Sequence, residues 1–243
     1  LGKTTKIALR LGGSIPLSTL DYPGELAAVV FCRGCPWRCP YCHNAALREA
    51  HGPDSCDGPD GVDFAAILAW LETRQGLLDA VVFSGGEPTL QPALGPGMAA
   101  VRKLGFKIGL HTAGMFPDAL AAVLPACDWV GCDIKAPRAA YDRLTGRAAS
   151  AAPAFASLTL LRDAGVAFEV RTTWHPALLD AAQLVALAGE LARAGARHWA
   201  LQPFQPKGCA DATLAAAGPA IFPAGLLETL RRTAPELSIL VRA

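Results

Sequence analysis

Leu26-Ala-Ala-Val-Val-Phe-Cys32 runs directly into Arg33-Gly34-Cys35-Pro36-Trp37-Arg38-Cys39-Pro40-Tyr41-Cys42-His43-Asn44. The first part is a short apolar run closed by a turn, the pattern of a strand buried on both faces. Gly34 and the two prolines then impose an irregular path, so the thiols of Cys35, Cys39 and Cys42 can converge instead of pointing around a helix. Three soft thiolates on one tight loop suit a cube of iron and sulfide. Three ligands on four irons leave one iron open to an outside group.

Cys32 extends the string to CxxCxxxCxxC and opens two other readings, a fully ligated electron-transfer cluster and a structural zinc site. Zinc pairs usually stand about 12 to 20 residues apart, and the spacer here is far shorter. A cysteine that ends an apolar strand is more often a buried core thiol than a ligand. The chain has 8 cysteines in 243 residues. A disulfide framework belongs to small secreted chains, so metal or redox chemistry is the better reading of the clustered three. Cys56, Cys127, Cys132 and Cys209 are scattered and read as structural, and His43 as a residue that orders the loop.

Working outward, the same rhythm of an apolar run, a turn and a helical period recurs. Strands are expected at 26–32, 80–83, 107–111, 129–133, 167–173 and 198–201. Helical patterns include 62–74, 117–124, 155–164, 179–194 and 224–233. Repeated β-α units place parallel strands in a barrel or in a doubly wound sheet, and both put their chemistry at the strand C-termini. Every unusual cluster of residues follows a strand. Longer loops are read at 45–61 and 205–223.

Hydrophobic residues make up 52% of the chain and charged residues 18%, with 22 Lys and Arg against 21 Asp and Glu. That composition provides a large core and no net field to attract nucleic acid or an acidic membrane. With no membrane-length apolar run and no leader pattern, a cytoplasmic protein is expected. There is no Ser/His/Asp or paired-carboxylate set. His51, His175 and His198 stand without evident partners and read as structural.

After the strand Ala80-Val-Val-Phe83 comes Ser84-Gly85-Gly86-Glu87-Pro88-Thr89. Two glycines permit close approach of a ligand to the main chain, and Glu87 can accept hydrogen bonds from an ammonium group. Together with the cysteine loop, with Asp21-Tyr22-Pro23-Gly24 upstream and with Asp133-Ile134-Lys135-Ala136-Pro137 downstream, this motif resembles the radical S-adenosylmethionine superfamily. Within it the chain is most similar to activating enzymes of glycyl-radical enzymes, those of anaerobic ribonucleoside-triphosphate reductase above all.

The resemblance implies an α/β fold, a partial (β/α)6 TIM-like barrel of parallel strands with outer helices, in a single domain over 1–243. It implies a 4Fe-4S cluster on Cys35, Cys39 and Cys42, and S-adenosyl-L-methionine as the second cofactor. Tyr41 would seat the adenine, and Gly85, Gly86 and Glu87 would meet the methionine amino group. Asp133 and Lys135 alternate onto one face of a strand end. Lys135 would meet the methionine carboxylate, with Arg171 as a second cation nearby. One electron passed to the sulfonium would release a carbon radical that takes hydrogen from a glycine Cα of the reductase.

No other set of cysteines is available for a ferredoxin-like insert, so a separate low-potential electron donor is expected. No nucleic acid or membrane partner is. Two departures stand out. His111-Thr112-Ala113-Gly114 replaces an Asp-Thr-Asn-Gly string, removing a carboxylate tied to a monovalent cation, and Gln205 stands where some relatives have a ribose-contacting His. The rival readings are a radical enzyme acting on a small molecule, of the deazaguanine-synthase kind, and an electron carrier with Cys32 as fourth ligand.

Overall fold

A computed structural model describes residues 9–49 and 62–242. His51 and Cys56 lie outside them, as does most of the expected loop at 45–61. Eight strands follow one another in chain order: β1 (Leu11–Ser18), β2 (Ala27–Cys32), β3 (Ala80–Gly85), β4 (Lys107–Thr112), β5 (Trp129–Asp133), β6 (Ala167–Trp174), β7 (His198–Pro203) and β8 (Ser238–Val241). All six expected strands are there, with ends that agree to within two residues. β1 is antiparallel to β2, whereas β2–β3, β3–β4, β6–β7 and β7–β8 are parallel. Strand order without a reversal has no topological switch point, which separates this α/β fold from the doubly wound sheet and gives the strand order expected of a partial barrel.

The strands β1 and β8 were not expected. Gly12, Gly13 and Pro16 interrupt any apolar alternation in β1, which is mostly exposed and therefore carries little hydrophobic signal. Such residues are tolerated at a sheet edge, where the ladder is made on one side only. β8 is only four residues long and also largely exposed. The helices are α1 (Phe64–Glu72), α2 (Leu94–Lys103), α3 (Pro117–Val123), α4 (Arg138–Thr145), α5 (Ala151–Ala164), α6 (Ala181–Arg193), α7 (Ala212–Ala216) and α8 (Leu226–Thr233). α2, α4 and α7 were also missed, α7 within the stretch 205–223 read as a loop. The first holds Gly95, Pro96 and Gly97 in its opening turn, where a proline loses no intrahelical bond.

The described residues form two compact units, 9–36, 46–49, 62–112 and 118–130 in the first, and 37–45, 113–117 and 131–242 in the second. In the first, Ala27, Val29, Ala80 and Val82 line one sheet face with Tyr22 and Trp129, whose rings stack at 5.2 Å. On the other face Phe64 of α1 meets Phe83 of β3, with ring centroids 6.5 Å apart. Because β2 and β3 are buried on both faces, their sequences are continuous apolar runs and not alternating ones.

In the second unit, α6 packs against α8 and α4 against α5. Asp180 caps α6 by accepting from Gln183 N–H at 2.7 Å, and the Gln183 side chain closes the capping box. Buried Thr172 links three backbone paths: it accepts from Trp199 Nε1–H at 2.9 Å and donates to the Ile134 carbonyl at 2.6 Å. Removing that hydroxyl leaves a buried indole N–H and a buried carbonyl short of a partner. Thr172→Val should therefore cost about 2 kcal/mol of stability, read from the urea midpoint at unchanged slope.

Candidate functional site

The cysteine loop leaves β2 at Cys32, and its two limbs are held by different neighbours. In the first unit, Gly34 N–H donates to the Leu47 carbonyl at 2.8 Å and Cys35 N–H to that of Arg48 at 3.0 Å. In the second, Arg38 N–H donates to the Thr145 carbonyl at the end of α4 at 2.8 Å, and Cys42 N–H to that of Cys39 at 3.2 Å. Trp37 is buried with its ring edge-on to Tyr141 of α4 at 5.7 Å. None of Cys35, Cys39 and Cys42 is in a disulfide.

Their chemistry fits an iron–sulfur cluster, since all three are soft donors on an irregular loop. Burial raises the pKa of the Cys39 thiol, with Lys135 pulling the other way, so metal binding there releases a proton. Among the described residues no three His, Cys, Asp or Glu side chains already stand as a metal-holding group. Cys32 is fully buried, and burial, with Glu87 adding to it, pushes its thiol up to about 12. Cys32 lies within β2, paired with Gly85 of β3, before the irregular loop begins. Cys127, raised to about 12 by burial, and Cys132, fully buried, agree with their structural reading.

At the end of β3 the glycine pair does something the sequence did not reveal. Gly86 N–H donates to the Cys32 carbonyl and Glu87 N–H to the Gly34 carbonyl, both at 2.8 Å. A Cβ on Gly86 would overlap the Gly34 carbonyl oxygen and lie 2.8 Å from its carbon. One on Gly85 would overlap Cys32 and sit 2.6 Å from its nitrogen, at a φ of +108°. Both glycines are thus demanded by the stem of the cysteine loop, whatever ligand also approaches. Glu87 is fully buried, and its Oε1 accepts from Thr89 N–H at 3.1 Å, Thr89 Oγ1 at 2.5 Å and Thr112 Oγ1 at 2.7 Å.

Lys135, Asp133 and Arg171 meet in the second unit. Asp133 Oδ1 accepts from Arg171 Nε at 3.1 Å and lies 3.0 Å from Nη2, while Oδ2 accepts from Lys135 Nζ at 3.3 Å. The ammonium also lies 5.8 Å from the Tyr41 ring centroid and 6.0 Å from that of Trp37, within cation–π range. Burial alone would lower the Lys135 pKa, but Tyr41 and Asp133 more than offset it and hold the pKa well above its ordinary value. Lys135 therefore keeps its charge, largely shielded beside the cysteine limb with its side chain 13% exposed. Trp37 and Tyr141 are functional neighbours that sequence reading missed; an aromatic inside the CxxxC spacer was the available signal.

The remaining expectations separate clearly. His111 donates through Nε2 to the Asp21 carbonyl at 2.8 Å, and its Nδ1 lies 3.1 Å from Ser84 Oγ. Both ring nitrogens are engaged, and the imidazole supports the Asp21–Gly24 turn. Gly24 has a φ of +83°, and Glu25 N–H closes that turn on the Tyr22 carbonyl at 3.1 Å. Gln205 is exposed, and its backbone carbonyl accepts from His43 at 2.8 Å. His175 is buried with Nδ1 accepting from Ala177 N–H at 3.1 Å, a structural role as expected. The Gly86 contact yields a test read by thermal melting: Gly86→Ala should cost about 2–3 kcal/mol or prevent folding, because the obstructing atoms are main chain, whereas Ala at Gly95 of α2, where a Cβ would meet only the Val123 side chain at 3.7 Å, should be far milder.

The Radical SAM superfamily profile matches residues 29–180. A Methanocaldococcus jannaschii protein named as a glycyl-radical enzyme activating enzyme is 29% identical, over 83% of this chain and 82% of its own. The pyruvate formate-lyase-activating enzyme of Clostridium pasteurianum is 31% identical over 68% of both chains. A 7-carboxy-7-deazaguanine synthase of Methanopyrus kandleri is 32% identical, but over only 48% of this chain and 52% of its own. The crystal structure of Streptococcus suis SuiB bound to precursor peptide SuiA shares the fold, with a TM-score of 0.66 at 13% identity. It covers 92% of this chain and 50% of that one, so this chain spans about half its length. No helix among the described residues is long and apolar enough to cross a membrane. The chain belongs to the radical S-adenosylmethionine superfamily, whose members work with a 4Fe-4S cluster and S-adenosylmethionine.

Proposed function

We propose that this protein activates a glycyl-radical enzyme in the cytoplasm, with anaerobic ribonucleoside-triphosphate reductase as its partner and both units acting as one radical SAM domain. The observation that supports an activating role over small-molecule chemistry is the match to an activating-enzyme relative across most of both chains, against half for the deazaguanine synthase. When bound, the cofactors supply one-electron cleavage of a carbon–sulfur bond and hydrogen abstraction from a glycine Cα. One electron from a separate low-potential donor enters, and methionine, 5′-deoxyadenosine and a glycyl radical are the products.

The chain's own residues bind, orient and exclude. Cys35, Cys39 and Cys42 hold the cluster, and Cys32 stays in the core. Lys135, kept charged, and Arg171 attract the methionine carboxylate, with Asp133 fixing both cations and adding a carboxylate for the amino end. Gly85, Gly86 and Glu87 support that amino group, and the buried Tyr41 ring seats the adenine. No side chain needs to move a proton, so positioning and dryness are the protein's share of the rate.

Anaerobic reconstitution with iron and sulfide, then dithionite and S-adenosylmethionine, should release 5′-deoxyadenosine. Alanine at Cys35, Cys39 or Cys42 should abolish it, whereas Cys32→Ala should keep both iron and product; loss of both in that variant would make Cys32 a ligand. Lys135→Ala should weaken cofactor binding about tenfold or more by titration, the scale of one hydrogen bond to a charged group. With the reductase added, a glycyl-radical doublet should appear by electron paramagnetic resonance. Product without any radical on the reductase would point to a different substrate.

A further inference from the structure

The last limb of the cysteine loop is tied to the segment that follows β7. His43 Nε2 donates to the Gln205 carbonyl at 2.8 Å, and its ring stacks on Phe204 with centroids 5.9 Å apart and planes at 29°. The Cys209 thiol lies 3.4 Å from the Pro40 carbonyl oxygen and 3.7 Å from that of Asp211, and its one S–H donates to the nearer. Gly208, at a φ of +81°, comes so close that a Cβ there would lie 3.1 Å from the His43 carbonyl oxygen. All of these contacts lie within the second unit.

The support is itself fixed. Phe204 is fully buried, its N–H donates to the Trp174 carbonyl, and its own carbonyl accepts from Ala220 N–H, both at 2.9 Å. Cys209 N–H donates to the Pro206 carbonyl at 3.1 Å. Asp211 caps α7 by accepting from Thr213 N–H at 2.9 Å and Leu214 N–H at 3.0 Å. Within the limb, Cys42 N–H closes a turn on the Cys39 carbonyl and Pro40 has no N–H to donate, so the bonds from the segment after β7 add to a sparse internal set.

Resting on the assignment of Cys39 and Cys42 as ligands, we propose that His43 and Cys209 are positioning residues. They latch Pro40–His43 onto the segment after β7 and so hold two of the cluster thiolates in binding geometry. Cys209 acts through its S–H bond to the main chain and not as a ligand. Groups that orient metal ligands from outside govern how long a metal stays.

The test reconstitutes the wild type, His43→Ala, His43→Gln, Cys209→Ala and Cys209→Ser with iron and sulfide under anaerobic conditions. It then follows iron loss to a chelator and the melting of each iron-free chain. His43→Ala should lose iron about tenfold faster, the low end of what outer partners of a metal site contribute, and Cys209→Ala should lose it severalfold faster by the same argument. His43→Gln and Cys209→Ser carry donors for the same carbonyls and should return toward wild type, with iron-free melting unchanged throughout. Wild-type loss rates in both alanine variants overturn the latch. Iron absent from both Cys209 variants makes Cys209 a ligand and overturns it as well. If His43→Ala does not fold, the half-exposed Cys209 variants decide alone. A wild type that gathers no iron ends the three-cysteine assignment and the latch with it.

Discussion

The rest of the first unit's site depends on one close approach: the end of β3 lies against the stem of the cysteine loop with no room for a side chain between them. The Gly86 and Glu87 amides donate to the Cys32 and Gly34 carbonyls, so two main-chain bonds fix where the loop leaves the sheet. A β-carbon at either glycine would strike main-chain atoms, and these cannot move without shifting the strand register. The same step brings Glu87 down into a buried position, where Thr89 and Thr112 hold its carboxylate. Loop, glycine pair and buried acid are therefore one construction.

In the second unit the matching constraint is electrostatic. An ammonium largely shielded from water needs compensation, and Lys135 receives it from Asp133 and from the faces of Tyr41 and Trp37, two residues of the cysteine loop itself. Folding the loop and keeping the charge are thus coupled. Tyr141 joins them, since its ring meets Trp37 while its hydroxyl accepts from Lys135 N–H at 3.4 Å. α4 is therefore a support for the site as well as a packing partner of α5.

Most of the sheet was legible in the sequence because β2 to β7 are buried, and burial writes itself as apolar runs. β1 and β8 were not, since edge strands owe their form to a paired neighbour and not to a hydrophobic pattern. The cysteine spacing and the Asp133–Lys135 alternation are local and could be read directly. What escaped was contact between distant positions: Trp37 with Tyr141, His43 with Gln205, Glu87 with Thr112. The glycines were read as room for a ligand, but the nearer cause is the neighbouring backbone, which no single segment discloses. His111 reads in the sequence only as a missing carboxylate, because its bond to the Asp21 carbonyl joins positions 90 residues apart.

An iron–sulfur cube held by three cysteines keeps one iron open to the cofactor, and Mössbauer spectroscopy of the protein reconstituted with iron-57, recorded before and after S-adenosylmethionine is added, detects that iron. One iron of the four should change its isomer shift and quadrupole splitting when the cofactor binds, while the other three stay as they were. Four irons all indifferent to the cofactor would mean that no corner of the cube is open.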